Sequence, residues 1–410
     1  MSQTTNDLDW AASLREQMVA ELESAGLVLT PAVAAALRAV PRHVFGPEEP
    51  LEAAYALHTI LHRTLDESGA AVSMISAVEV QAMMLEQAQV TSGSRVLEVG
   101  SGGYNAALLA DMAGPDGQVT TVDIDERVTE RTTRYLAQAG YNGVNVVLAD
   151  ADGGVPEHAP YDVIMATTSV QDLPPTWVDQ LAPDGRIVVP LRLRGTPRVV
   201  VLVRDGDRLV SAGYELGHFV PVRGRSTPDE RSLVLDEVGV TLRVDGDVSA
   251  DQAALASALH TEATVAWATP REVSRFDGLG LWLAVNEDAF GMLNATTDAK
   301  DRGLVAHSWA VGIPAILDQV GRSFAYLTLR RTEDGPQFGA TGHGENASEL
   351  VARFVDLIEA WDTTSLDAQI SLYPAGTPDD VLPSGEHVRV LDRPRNRVVL
   401  TWPTQTPQGV

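Results

Sequence analysis

The chain has 410 residues, with 56 Asp and Glu against 30 Lys and Arg, a formal net charge of −26, and no cysteine. The missing cysteines exclude disulfide frameworks, thiolate nucleophiles and cysteine-ligated metal. A polyanion of this size repels duplex nucleic acid and anionic membrane surfaces, so neither is an expected partner. With 44% hydrophobic residues and no apolar run long enough to span a bilayer, the composition predicts a soluble protein of two or three domains. The N-terminal segment lacks a basic region followed by an apolar one, which predicts a cytoplasmic location. Lys300 is the only lysine, which leaves no candidate for Schiff-base or P-loop chemistry.

Residues 1–70 read as a helical segment. Trp10, Leu14, Met18 and Leu22 recur at helical spacing, and Thr30-Pro31 opens a second helix running to Val40. Residues 71–225 form the next expected domain. Short β-branched runs at 96–99, 119–123, 144–148, 163–166 and 187–189 alternate with helix patterns at 105–113, 126–139 and 176–181. Near-continuous apolar strands separated by helices predict a doubly wound parallel sheet, an α/β Rossmann-like domain covered on both faces. Segments 199–204 and 209–214, joined through Asp205-Gly206-Asp207, predict an antiparallel hairpin closing that sheet. Residues 226–410 read as an additional α+β domain. Strands are expected at 241–244, 281–285, 324–329 and 398–402, and helices at 251–259 and 348–361.

The chemistry concentrates at three successive strand ends. Val96-Leu-Glu-Val-Gly-Ser-Gly-Gly-Tyr104 runs from a strand through a glycine-rich turn into a helix, which opens backbone and helix N-terminus to a ligand. Asp123 ends the second strand, where a carboxylate can bind ribose hydroxyls, and Asp150 follows the third. Together they predict a nucleoside-binding edge made by Gly100, Ser101, Gly102, Tyr104, Asp123, Ile124, Asp150 and Ala151. The third glycine of a dinucleotide fingerprint is absent, and Glu98 precedes the turn. A carboxylate there repels a pyrophosphate and suits a cation, favouring S-adenosyl-L-methionine (AdoMet), a sulfonium, over a nicotinamide dinucleotide.

Along residues 30–222 the chain resembles the protein L-isoaspartyl (D-aspartyl) O-methyltransferases. The matching blocks are Val40-Pro-Arg-His-Val-Phe45, Ala54-Tyr55, Ile75-Ser76, Val96-Leu-Glu-Val-Gly100, Asp123, Asp150, Pro156-Glu-His-Ala-Pro-Tyr-Asp162 and Leu173-Pro-Pro175. They continue in Gln180-Leu-Ala-Pro-Asp-Gly-Arg-Ile-Val-Val-Pro190 and Phe219-Val-Pro221. The resemblance implies a class I AdoMet-dependent fold that methylates a peptide carboxylate. It also implies Ser76 as the active-site serine, with Ser73 the competing hydroxyl and Ile75 and Val220 beside the substrate. Three features depart from the family pattern. The glycine block from Glu98 to Tyr104 is one residue shorter, Met74 and Val78 replace the Thr and Pro around Ile75-Ser76, and a long segment follows Gly224. That extension, with Tyr104-Asn-Ala-Ala-Leu-Leu-Ala110, Pro374-Ala-Gly-Thr-Pro378 and Leu400-Thr-Trp402, resembles methyltransferases associated with lanthipeptide and related ribosomal-peptide pathways. The resemblance implies methylation of an ordinary Asp in a modified, macrocyclised precursor peptide, leading to succinimide and isoaspartate. The alternatives are an isoaspartyl repair enzyme and a non-catalytic AdoMet-binding peptide escort.

A carboxylate is its own nucleophile at neutral pH, so this chemistry asks for alignment and desolvation rather than a general base. Ser76 equally suits an N-cap for a helix over 77–89. Between Arg186 and Arg231 lie nine Arg and five acidic residues, a local net of +4. Arg192 and Arg194 are therefore candidates for binding an acidic peptide, with pairing inside the molecule as the competing reading. His58 and His62 stand four apart with no third ligand in the sequence nearby, and no metal is expected.

Overall fold

The computed structural model describes residues 5–65, 71–270, 277–309, 312–333, 335–361 and 367–403. The N-terminal segment holds α1 (Thr5–Ser24), α2 (Pro31–Ala39) and the short α3 (Leu51–Ala54). Thr30 caps α2 by accepting from the Val33 amide, and Pro31 takes the first turn, where its missing N–H costs nothing. Part of this expected helical segment is extended: β1 (Leu61–Leu65) pairs antiparallel with β2 (Ala71–Ile75) as a separate hairpin leading into α4 (Val78–Ala88).

The Rossmann-like expectation is met in β3 (Arg95–Val99), α5 (Tyr104–Ala113), β4 (Gln118–Asp123), α6 (Glu126–Ala139), β5 (Asn145–Leu148), β6 (Tyr161–Ala166), α7 (Pro175–Gln180) and β7 (Leu181–Leu193). The parallel order is β5-β4-β3-β6-β7, after which β8 (Thr196–Asp205) and β9 (Arg208–Leu216) add antiparallel strands. The chain reverses direction across the sheet between β3 and β6. In open α/β sheets that switch point leaves a crevice at the strand C-termini. α6 is kept amphipathic by Val128, Tyr135 and Leu136 facing the sheet and is capped by Asp125, whose side chain accepts from the Arg127 amide.

Beyond Asp229 the chain builds a second sheet from β10 (Glu230–Asp236), β11 (Val240–Asp245), β12 (Thr264–Trp267), β13 (Phe290–Ala295), β14 (Ile313–Leu317), β15 (Phe324–Thr332) and β16 (Gly335–His343). Its order is β10-β11-β13-β14-β15-β16-β12, with α8 (Gln252–Leu259), α9 (Asp277–Asn286), α10 (Thr297–Asp301) and α11 (Ala347–Ala360) between strands. The strand expected at 281–285 is the helix α9. Leu281 and Val285 join the core under the first sheet, whereas Leu279 and Leu283 join the core of the second. A helix buried on both sides is apolar all round, and such a run has the hydropathy of a buried strand.

The expectation of one C-terminal unit over 226–410 does not describe the fold. β17 (Gln369–Pro374), β18 (Val388–Asp392) and β19 (Asn396–Thr401) return to the first sheet, where β17 pairs with β9. The first sheet thereby grows to ten strands, β18-β19-β17-β9-β8-β7-β6-β3-β4-β5. Among the described residues no helix is long and apolar enough to cross a membrane, and no cluster of His, Asp and Glu has metal-ligand form.

Candidate active site

The glycine turn after β3 is fixed from three directions. Gly100 has φ of +90°, and a Cβ there would lie 2.7 Å from Thr167 Oγ1 and 2.9 Å from Thr168 Cγ2. Only glycine lets the turn lie against the loop after β6. The Ser101 amide donates to Asp123 Oδ2 at 3.0 Å, and the Asp125 amide donates to Oδ1 at 2.9 Å. The Ser101 hydroxyl donates to Thr132 Oγ1 on α6 at 3.0 Å. Asp123 thus holds the turn, while each carboxylate oxygen keeps a lone pair for a ligand hydroxyl.

The turn separates two clefts. One is lined by Gly100, Asp123, Ile124, Ala151, Thr168 and Arg223, the other by Ile75, Ser76, Gln81, Glu98, Gly102 and Phe219. Glu98 is fully buried at the second cleft, accepting from Asn105 Nδ2 at 2.9 Å and from Thr121 Oγ1 at 2.6 Å. Loss of hydration pushes its carboxyl up to about 7, against the pull of those two hydrogen bonds. Burial likewise raises Asp123, with the Ser101 and Asp125 amides opposing it.

Ser76 reaches the second cleft because the hairpin strand β2 ends at Ile75, directly before α4. It is not the helix cap: Ala77 occupies that position and makes no side-chain cap bond. The Ser76 carbonyl is instead held by Arg42 Nη2 at 2.8 Å. Arg42 is completely buried and also donates to the Ala54 and Thr59 carbonyls and to Gln81 Oε1. Its guanidinium lies 4.9 Å from the centre of the Tyr104 ring. One arginine from the Val40–Phe45 block therefore ties α3, the hairpin and α4 together beneath Ser76.

Other expected residues fall elsewhere. Tyr104 is buried against Phe45 and Arg42 and lines neither cleft. Asp150 accepts from the Asp152 and Arg225 amides at 3.0 Å each and lines neither cleft, although its neighbour Ala151 does. Ser73, on β2, lines neither cleft and receives a 3.4 Å contact from Arg131 Nη2. Val220 presents its carbonyl to the Ser169 amide at 2.8 Å, leaving Phe219 and Pro221 on the cleft walls. Arg192 and Arg194 are drawn into the molecule rather than to the clefts. Arg192 pairs with Glu230, and Arg194 pairs with Asp288 at 3.1 Å. Arg223 and Arg225 pair with Asp125 and with Asp150 and Asp152. Four arginines of the basic stretch thus pair with carboxylates of the same chain.

The sequence reading missed Thr167, Thr168, Asn105, Gln81 and Phe219. A signal existed for the threonines, which directly follow the fourth strand at the switch point. Phe219 and Gln81 belong to segments whose approach is set by tertiary packing.

This donor set fits AdoMet. Glu98 is a buried carboxylate with no cationic partner among the described residues, beside a cleft suited to the positive methionyl end, and Asp123 with Ile124 and Ala151 offers the acid and apolar walls that an adenosine needs.

Comparison with known proteins agrees. The family model for protein-L-isoaspartate(D-aspartate) O-methyltransferase matches residues 13–227. A protein-L-isoaspartate O-methyltransferase of Methanococcoides burtonii is 37% identical over 191 residues, 46% of this chain and 91% of the relative. One from Hyperthermus butylicus is 34% identical, over 55% of this chain and 94% of its own. A solved structure described as protein-L-isoaspartate O-methyltransferase superposes with a TM-score of 0.50 at 21% identity, covering 87% of this chain and 96% of that one. The chain belongs to the protein-L-isoaspartate(D-aspartate) O-methyltransferase family, with a class I methyltransferase fold and AdoMet as its cofactor.

Proposed function

We propose that this protein is an isoaspartyl O-methyltransferase that initiates repair of isoaspartyl residues in proteins or peptides. The observation that carries the proposal is the second cleft, where Ser76, the buried Glu98 and Phe219 meet beside the glycine turn, in a chain whose relatives bear this activity in name. Bound AdoMet supplies an electrophilic methyl group on a sulfonium. Glu98 would hold the positive end of the cofactor in its ionised form, and Asp123 would hold the ribose hydroxyls. Ser76 donates a hydrogen bond to the substrate carboxylate, whose oxygen is the nucleophile, and no base among the chain's residues is called for. Alignment and exclusion of water supply the rate enhancement, roughly 7–11 kcal/mol in well-oriented systems. In the methyl ester, methoxide is a competent leaving group, so the following backbone nitrogen closes a succinimide that water opens to aspartate or isoaspartate.

The reading of an ordinary Asp in a macrocyclised ribosomal peptide drew on the C-terminal extension. A chain described as a protein-L-isoaspartate O-methyltransferase is matched over 87% of this one, so the extension does not separate the two readings, and no residue of the clefts favours the macrocycle. The test is a matched pair of peptides differing only in Asp or isoAsp, incubated with AdoMet and followed by mass spectrometry. A methyl mass on the isoaspartyl isomer alone supports the proposal. Methylation of the Asp isomer, or of neither, overturns it.

A further inference from the structure

An apolar cavity lies outside the clefts just described, between β8 and β9 of the first sheet and the face of the second. It measures about 370 Å³ and is walled by Leu216, Met292, Trp309, Leu327, Leu329 and Phe338. Cavities at domain boundaries are frequent ligand sites. This one shares a wall with the active site. His218 lines the cavity, and the next residue, Phe219, lines the Ser76 cleft. Adjacent Cα atoms are only about 3.8 Å apart, so the linings of the two spaces meet at this point of the backbone.

A second observation concerns Gly280, which lines the cavity from within α9. Glycine inside a helix is less stable than alanine by roughly 0.5–1 kcal/mol. Here neither conformation nor packing requires it. Its φ lies outside the left-handed region, and a Cβ would approach Pro314 Cγ and Thr196 Cγ2 no closer than 4.0 Å. What the missing side chain does preserve is the open volume.

We propose that this cavity is a specificity pocket for a bulky apolar side chain of the peptide substrate, within about three residues of the methylated isoaspartate. Three residues of extended peptide span about 10 Å, enough to pass from the Ser76 cleft over the His218–Phe219 wall. The apolar walls favour an aromatic or branched aliphatic side chain, and the polar groups on the lining, Arg198 and His218, disfavour a cationic one. The proposal rests on the isoaspartyl reading given above.

The test compares two isoaspartyl peptides, one with Phe at positions flanking the isoaspartate and one with Ser, in wild type and in Gly280→Leu, with Gly280→Ala as the conservative variant. Burial of one aromatic side chain predicts a wild-type KM about tenfold or more lower for the Phe peptide, with similar kcat. Gly280→Leu raises KM for the Phe peptide by about tenfold and leaves the Ser peptide unchanged, while Gly280→Ala keeps the preference and raises the thermal midpoint slightly. Equal KM values for the two peptides in wild type, or equal effects of Gly280→Leu on both, would overturn the pocket. So would unchanged kinetics in Gly280→Leu accompanied by a change in sedimentation, which would assign the cavity to contact with a second copy. Failure to methylate either isoaspartyl peptide would instead refute the functional reading itself, so the two failures are distinguishable.

Discussion

Glu98 carries a contradiction that a ligand resolves: it is fully buried, hydrogen-bonded by Asn105 and Thr121, and without a cation among the described residues. Its carboxyl is pushed up to about 7. A carboxyl raised in the folded state contributes stability that is complete below its ordinary value and is lost as pH rises through about 7. The ligand-free protein is therefore expected to be less stable at pH about 8 than a Glu98→Gln variant, by on the order of 3 kcal/mol, with the gap closing towards pH about 5. Urea unfolding at the two values checks this. AdoMet affinity should rise with pH through about 7 in wild type, because the ionised form binds the cation, and Glu98→Gln should bind more weakly with no such slope. A flat wild-type profile by calorimetry would contradict the role. Ser76→Ala should reduce turnover roughly tenfold to a hundredfold, the worth of one hydrogen bond to a charged group, with AdoMet affinity retained; undiminished activity removes Ser76 from the mechanism. Of these residues the sequence made Glu98 and Asp123 visible through strand and turn signals, whereas Ser76 showed through the family resemblance, its local pattern suggesting only a helix cap. Arg42 showed only as part of a family block. Its function depends on four acceptors brought from Ala54, Thr59, Ser76 and Gln81, which no local pattern announces. Arg42→Met strands those acceptors, and a loss of about 3 kcal/mol or more is expected in denaturation.

At the scale of elements, the parallel strands and their helices were legible because near-continuous β-branched runs and amphipathic spacing reinforce one another. One failure has a clear cause: where burial is complete on all sides, hydropathy loses its period. α9 is the clearest instance, serving two cores from one short helix. The hairpin β1–β2 was hidden for a different reason, since Leu61–Leu65 carries His62, Arg63 and Thr64 and its pairing with β2 is irregular in register. The return of β17 to β9 is a contact between segments about 160 residues apart, beyond any local signal. That return is anchored by Asn396, whose Oδ1 accepts from the buried Leu173 amide at 2.7 Å. Asn396→Ala should cost about 1–3 kcal/mol by leaving that donor unpaired; an unchanged urea midpoint would show that the anchor is dispensable.

For the molecule as a whole, the C-terminal extension is structural as well as additional. Arg395 pairs with Asp152, and Arg393 pairs with Asp245 at 3.1 Å, so the hairpin of β18 and β19 touches both the nucleoside edge and the second sheet. Cutting the chain after Asp229 removes β17 and opens the edge of β9, which is expected to give a self-associating, less stable fragment; a monomeric fragment with the parent thermal midpoint would refute this. The uneven charge also acquires a different meaning. Within the +4 stretch of a chain of −26, Arg192 pairs with Glu230 of the stretch itself, while Arg194, Arg223 and Arg225 pair with Asp288, Asp125, Asp150 and Asp152 outside it, so these four arginines fasten layers together. Substrate selection then falls to the cleft and its apolar neighbour. The most direct test of the whole account is a time course of an isoaspartyl peptide incubated with enzyme and AdoMet at neutral pH, with both isomers resolved chromatographically. The account predicts that the isoaspartyl form declines through a methyl ester and a succinimide while the aspartyl form accumulates; an undiminished isoaspartyl form, or consumption of the aspartyl isomer in its place, would contradict it.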